Sequence, residues 1–191
     1  MSLTVKVKQA GVPARYCEFT KAANSSERWS SAWEAVKPKL EIGKGSVIGL
    51  FGARGTGKTA MGALSVRYTC HQNQGQRKSA QYVVAADLFA NIRSTYNERG
   101  ATEDGIVRQM IEPELLVIDA IENKRDNDFE FTTLAHIVDS RYARLRNTIL
   151  IGNNDWSSFS SALGMSTVDR IIETGVAIEF SWESFRSQKK G

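Results

Sequence analysis

Apolar residues along this 191-residue chain fall into two alternating patterns: short unbroken runs, and stripes at three- and four-residue spacing. An unbroken run between polar segments predicts a strand covered on both faces, and a stripe predicts a helix with one buried side. Val47-Ile48-Gly49-Leu50-Phe51 is the first run, a strand over about 46–51, and Ala60, Met61, Ala63, Leu64 and Val66 mark the helix after it. Gln81-Tyr82-Val83-Val84 predicts a second strand, followed by a helix striped with Leu88, Phe89, Ile92 and Tyr96 and ended by Gly100. Leu115-Leu116-Val117-Ile118 is a third strand, ending in Asp119. Phe131, Leu134, Ile137, Val138 and Tyr142 stripe another helix before a fourth strand, Thr148-Ile149-Leu150-Ile151, which ends in Gly152-Asn153-Asn154. Val176-Ala177-Ile178-Glu179-Phe180 supplies a fifth. This alternation predicts a doubly wound α/β fold, a five-stranded parallel sheet flanked by helices, with ligands beyond the carboxyl ends of the strands.

Ahead of the first strand the pattern is weaker. Residues 1–24 hold Gly11-Val12-Pro13 and polar breaks without sustained periodicity, which predicts an extended lead-in wrapped on a core of residues 25–191. Asn24-Ser25-Ser26-Glu27 has the form of a capping box, and Trp29, Trp33 and Val36 follow at helical spacing until Pro38. Both tryptophans are expected in the core.

The sharpest chemistry lies between the first strand and its helix. Gly52-Ala53-Arg54-Gly55-Thr56-Gly57-Lys58-Thr59 fits the pattern GxxxxGK[ST] at every fixed position. A glycine-rich turn lets successive backbone N–H groups point at a polyphosphate, and the following helix N-terminus adds its positive end. Lys58 is expected on the β- and γ-phosphates and Thr59 on Mg²⁺. A nucleoside triphosphate is the implied ligand, ATP with Mg²⁺. Asp119, ending an apolar strand, is the acidic residue expected to hold the same Mg²⁺ through its water shell. The strand at Gln81 to Val84 intervenes in sequence, which indicates that the Asp119 strand is not next in order to the loop strand. That arrangement belongs to the ATPase branch of the P-loop NTPase folds. Asn153 both donates and accepts, the type needed to bind a γ-phosphate or orient water. Arg170 and Arg186 are candidate cations for the charge developing on the transferred group, one of them from a neighbouring subunit.

Composition narrows the setting. The net charge of +4 is spread along the chain, as suits either a polyanionic partner or the solvated surface of a nucleotide-binding protein. Cys17 and Cys70 form neither a metal spacing nor a disulfide framework, and no run is long enough to span a membrane. A cytoplasmic location without membrane partners is the expectation.

Several segments in order carry a resemblance: Gly11-Val12-Pro13-Ala14-Arg15-Tyr16, the phosphate loop, Leu115 to Asp119, Thr148 to Asn154, Val168-Asp169-Arg170-Ile171, and Phe180-Ser181-Trp182-Glu183-Ser184-Phe185-Arg186. Over about residues 11–187 the chain resembles the AAA+ ATPases of the bacterial and phage helicase-loader family, related to the ATPases that assist insertion-sequence transposases. The resemblance implies an AAA+ core in which Asn153 matches sensor 1, Arg170 the arginine finger acting across a subunit interface, and Arg186 sensor 2. It further implies nucleotide-dependent homo-oligomers on single-stranded DNA and a replicative helicase as partner. The helix over about 87–99, with Arg93, Tyr96 and Arg99, corresponds to an inserted helix that touches single strands. Tyr96 also completes that helix's apolar stripe. Arg141, Arg144 and Arg146 form a second basic cluster, expected to be solvated or at an interface. No separate large lid or helicase-binding domain is expected within the chain.

One position departs from the family. Ala120 stands where a second acidic residue activates the attacking water, and Glu122 lies two positions on. Strong ATP binding with weak hydrolysis is the expectation. The functions it leaves open are a helicase loader or remodeller, a transposition-type regulator on DNA, and an adaptor gated by nucleotide exchange.

Overall fold

The computed structural model describes residues 2–23, 26–72, 80–95, 102–121 and 128–186. Five parallel strands, β1 (Val47–Gly52), β2 (Ala80–Val84), β3 (Leu115–Asp119), β4 (Asn147–Ile151) and β5 (Val176–Phe180), form one sheet in the order β2-β3-β4-β1-β5. β4 lies between β1 and β3, so the Asp119 strand is indeed not the neighbour of the loop strand. The strand that separates them in space is β4, while β2 sits at the far edge.

Alternation along the strands divides the core into two layers. On one face Ile48, Leu50, Val117, Ile149 and Ile151 pack with helices α2 (Glu27–Val36) and α3 (Lys58–Gln72). On the other, Val47, Phe51, Leu116, Ile118 and Leu150 meet α4 (Ala85–Ser94), α5 (Glu103–Ile111), α6 (Asp128–Ala143), α7 (Trp156–Leu163) and α8 (Met165–Thr174). With β1, β3 and β4 buried along their whole lengths, both layers are needed, which is why these segments read as unbroken apolar runs.

The lead-in departs from expectation. It is helical at Leu3–Gln9 (α1), capped by the Ser2 hydroxyl, and α1 packs on α3 with Val7 wholly buried. Seven residues are too few for a stripe to stand out, so tertiary packing rather than periodicity makes the helix. Behind it, the Tyr82 N–H donates to the Ala10 carbonyl (2.6 Å), covering the β2 edge. Ser26 is the N-cap of α2, accepting from the Trp29 N–H (3.4 Å), while Asn24 and Ser25 of the expected capping box lie outside the described residues.

Candidate nucleotide site

The phosphate loop joins the carboxyl end of β1 to α3, and its carbonyls are turned toward protein donors. Trp29 Nε1 donates to Gly57 O (3.1 Å), Trp182 Nε1 to Thr56 O (2.9 Å), and the Phe185 N–H to Gly55 O (3.0 Å). A carbonyl and the N–H that follows it point oppositely across a planar peptide. Anchoring the carbonyls of residues 55–57 therefore aims the N–H groups of Thr56, Gly57 and Lys58 the other way, into the concavity a polyphosphate fills. Gly55 (φ +81°) and Gly57 (φ +94°) are required twice over, by conformation and by space. A Cβ on Gly55 would lie 2.1 Å from Ser184 Oγ, and one on Gly57 2.8 Å from Trp29 Nε1.

Lys58 is 3% exposed, and its ammonium donates to Gly52 O (2.8 Å) and Ala53 O (2.6 Å) within the loop. On the sheet side, Thr59 Oγ1 donates to Asp119 Oδ2 (2.9 Å), so the expected pair is in contact. The Tyr82 hydroxyl donates to the same oxygen, and the Ala120 N–H to Oδ1 (2.8 Å). Burial, with the Asp119 carboxylate beside it, pushes the Tyr82 phenol far above its usual range, so it remains a donor at any working pH. A hydroxyl and a carboxylate are the oxygen donors that Mg²⁺ takes, and Mg²⁺ needs only one or two protein ligands besides phosphates and water. The donor set at Thr59 and Asp119 fits it.

The remaining expected residues divide. The Gly52 N–H donates to Asn154 O (2.9 Å), which ties the segment after β4 to the start of the loop and puts Asn153 beside it. Arg186 follows the Phe185 bond, and its Cδ would lie 3.5 Å from a Cβ on Gly55, so its side chain passes over the loop. Arg170 is elsewhere. Its guanidinium stacks on the Tyr142 ring (4.1 Å) and pairs with Asp139 (3.7 Å) and Glu173 (3.2 Å). Thr174, one turn on, hydrogen-bonds the N–H of Val47 (3.3 Å), at the end of β1 opposite the loop.

Arg93 donates to Glu130 Oε1 (2.5 Å), a carboxylate only 1% exposed, which commits this expected DNA contact to a partly buried ion pair. Tyr96, Arg99 and Glu122 lie outside the described residues. The basic cluster is corrected: Arg141 is wholly buried, Arg146 pairs with Glu114, and Arg144, exposed, donates to the Ser140 carbonyl (3.3 Å).

Sequence reasoning missed the anchoring roles of Trp29, Trp182 and Tyr82. Trp29 and Tyr82 are buried and Trp182 half-buried, each an aromatic whose polar tip must find a partner, and that requirement is the one signal the sequence offered.

Residues 41–191, taking in the loop and all five strands, match the family described as IstB-like ATP binding protein. The chain belongs to this family. Within curated proteins it is 25% identical to the replicative helicase loader DnaC of Escherichia coli (strain K12) over 178 residues, 92% of this chain and 71% of that one. It is 30% identical to DnaC of Buchnera aphidicola subsp. Baizongia pistaciae over 142 residues, 73% of this chain and 56% of the relative. A crystal structure of the DnaC helicase loader superposes with a TM-score of 0.72 at 18% identity, covering 87% of this chain and 99% of that one. Replication initiator DnaA bound to AMPPCP and single-stranded DNA gives 0.72 at 19% identity, covering 90% of this chain and about half (51%) of that one. These likenesses are of fold: an IstB-like, AAA+ P-loop core.

Proposed function

We propose that this chain binds ATP with Mg²⁺, assembles with further copies of itself, and uses that switch to place or remodel a replicative helicase on single-stranded DNA. The observation that carries the reading is the cluster around one loop. Lys58 binds the loop's own carbonyls, Thr59 and Asp119 meet on its sheet side, the Asn153 segment joins its start, and the Arg186 segment crosses its tip. Its setting is a chain similar to DnaC along 92% of its length. Contact with the single strand is assigned to Tyr96 and Arg99, which follow α4 in sequence, and to Arg93 only where a phosphate displaces its Glu130 partner.

Arg170, turned to α6 at the far end of β1, serves a neighbour's nucleotide rather than its own. This reading makes the site incomplete in a single copy. The experiment is helicase deposition: purified chain, a hexameric replicative helicase and a circular single strand, with and without ATP. Helicase retained on the circle only with chain and ATP supports the proposal. Equal retention without the chain, or coating of duplex in preference to single strand, refutes it in favour of a transposition-type regulator.

Ala120 favours slow chemistry. It has φ +60°, its N–H is bound to Asp119 Oδ1, and it carries no base. A positioned general base contributes about 10²–10⁴ in rate. Wild-type turnover is therefore expected to be slow and Ala120→Glu to raise it by about tenfold or more, read by phosphate release at saturating ATP. Turnover of ordinary AAA+ speed with no gain in the variant contradicts this. Slow hydrolysis makes partner release by nucleotide exchange the accompanying mode.

A further inference from the structure

The Asp119 carboxylate is held more fully than a phosphate-loop site requires. An ionised carboxylate offers about four acceptor positions. Three are taken by the protein: Thr59 Oγ1 and the Tyr82 hydroxyl on Oδ2, and the Ala120 N–H on Oδ1. The one left is on Oδ1. Tyr82 comes to this place from β2, paired in register beside β3, with Tyr82 opposite Val117 and its ring 2% exposed. The Ala10 carbonyl binds its N–H, so the strand position is fixed from the other edge.

We propose that Tyr82 is a positioning residue of the metal–nucleotide site: with Thr59 it holds Asp119 Oδ2, leaving Oδ1 available to the hydration shell of Mg²⁺. The inference rests on the reading that Thr59 and Asp119 serve that metal. The Thr59 hydroxyl on Oδ2 and the Ala120 N–H on Oδ1 already hold both oxygens, and the Tyr82 hydroxyl takes the second acceptor position of Oδ2, so that the position still open is on Oδ1. Outer partners of this kind are worth about 10–100-fold in metal affinity. With Ala120 supplying no carboxylate, the Tyr82 phenol is the polar side-chain group that β2 contributes beside Asp119.

The test is the affinity of a fluorescent ATP analogue in excess Mg²⁺ and in EDTA, for wild type, Tyr82→Phe and Asp119→Asn. Tyr82→Phe keeps the ring and is expected to bind within about twofold of wild type in EDTA, while the enhancement by Mg²⁺ falls about tenfold. Unchanged enhancement overturns the proposal, and so does an equal loss in both conditions, the mark of a merely structural role. Asp119→Asn separates the underlying reading: if it keeps the full enhancement, the metal assignment itself fails. A measurement without substitution stands beside these. In nucleotide-saturated wild type labelled with ¹³Cζ-tyrosine, one of the five tyrosine resonances should move as Mg²⁺ is added. If none moves, Tyr82 does not sense the metal.

Discussion

Replacing Lys58 with alanine is expected to weaken ATP binding by roughly a hundredfold. The ammonium is the charge that the loop presents to the β- and γ-phosphates, and hydrogen bonds to charged groups are worth about 1.5–3 kcal/mol each. A loss of about 3 kcal/mol corresponds to just over two decades in affinity. The substitution has a second effect that does not involve nucleotide. Lys58 Nζ is the donor to the Gly52 and Ala53 carbonyls, and with 3% exposure it shields both from water. The variant should therefore also melt at a lower temperature without ligand. Calorimetric titration with ATP and a thermal melt without it separate the two effects. Wild-type affinity in the variant would remove Lys58 from the phosphate site.

Arg141→Met should destabilise the fold by about 3–5 kcal/mol, the range for leaving buried polar partners uncompensated. The guanidinium makes five hydrogen bonds, all from a fully buried position: to Met110 O, Ile111 O, Glu114 O, Asn147 O and Thr148 Oγ1. Two of these acceptors are carbonyls in the last turn of α5, which the helix itself leaves unbonded. Another two lie at the start of β4, so one side chain fastens helix to sheet. Burial without a carboxylate pulls the group down to about 9, still a cation at neutral pH, and the fork of donors is what keeps it there. Lysine lacks that fork, so Arg141→Lys should rescue little. At about 2–4 °C per kcal/mol for a chain of this size, the melting temperature should fall by about 10 °C. A drop of less than about 3 °C would show that the five acceptors find other partners.

The central sheet was legible because β1, β3 and β4 are covered on both faces, and full burial writes itself as an unbroken apolar run. β2 and β5 at the edges were recognised too, with Val, Ile and Phe spaced among polar residues. Besides α1, the helices α5 and α7 escaped the pattern. α5 has a Thr102 cap and acidic residues in its first turn but carries Gly105 there too, which shortens the stripe to Val107, Met110 and Ile111. α7, capped by Asp155, is mostly serine on its outer face. The nucleotide loop was readable to the residue because its chemistry is local. Arg141 was not, because a burial that depends on the end of α5 meeting the start of β4 leaves no mark on the neighbouring residues. The loop's anchors Trp29 and Trp182, and Tyr82 on Asp119, come from α2, the segment after β5, and β2, and escaped for the same reason.

The account turns on a switch made of several copies, with Arg170 of one copy completing the nucleotide site of another. The mass of the purified chain in solution, with no nucleotide, with ADP, and with a non-hydrolysable ATP analogue and Mg²⁺, each with and without single-stranded DNA, tests this most directly. The account predicts larger assemblies with the analogue, further favoured by the single strand, and loss of that growth in Arg170→Ala with nucleotide affinity retained. A monomer in every condition, or growth that Arg170→Ala leaves intact, would contradict it.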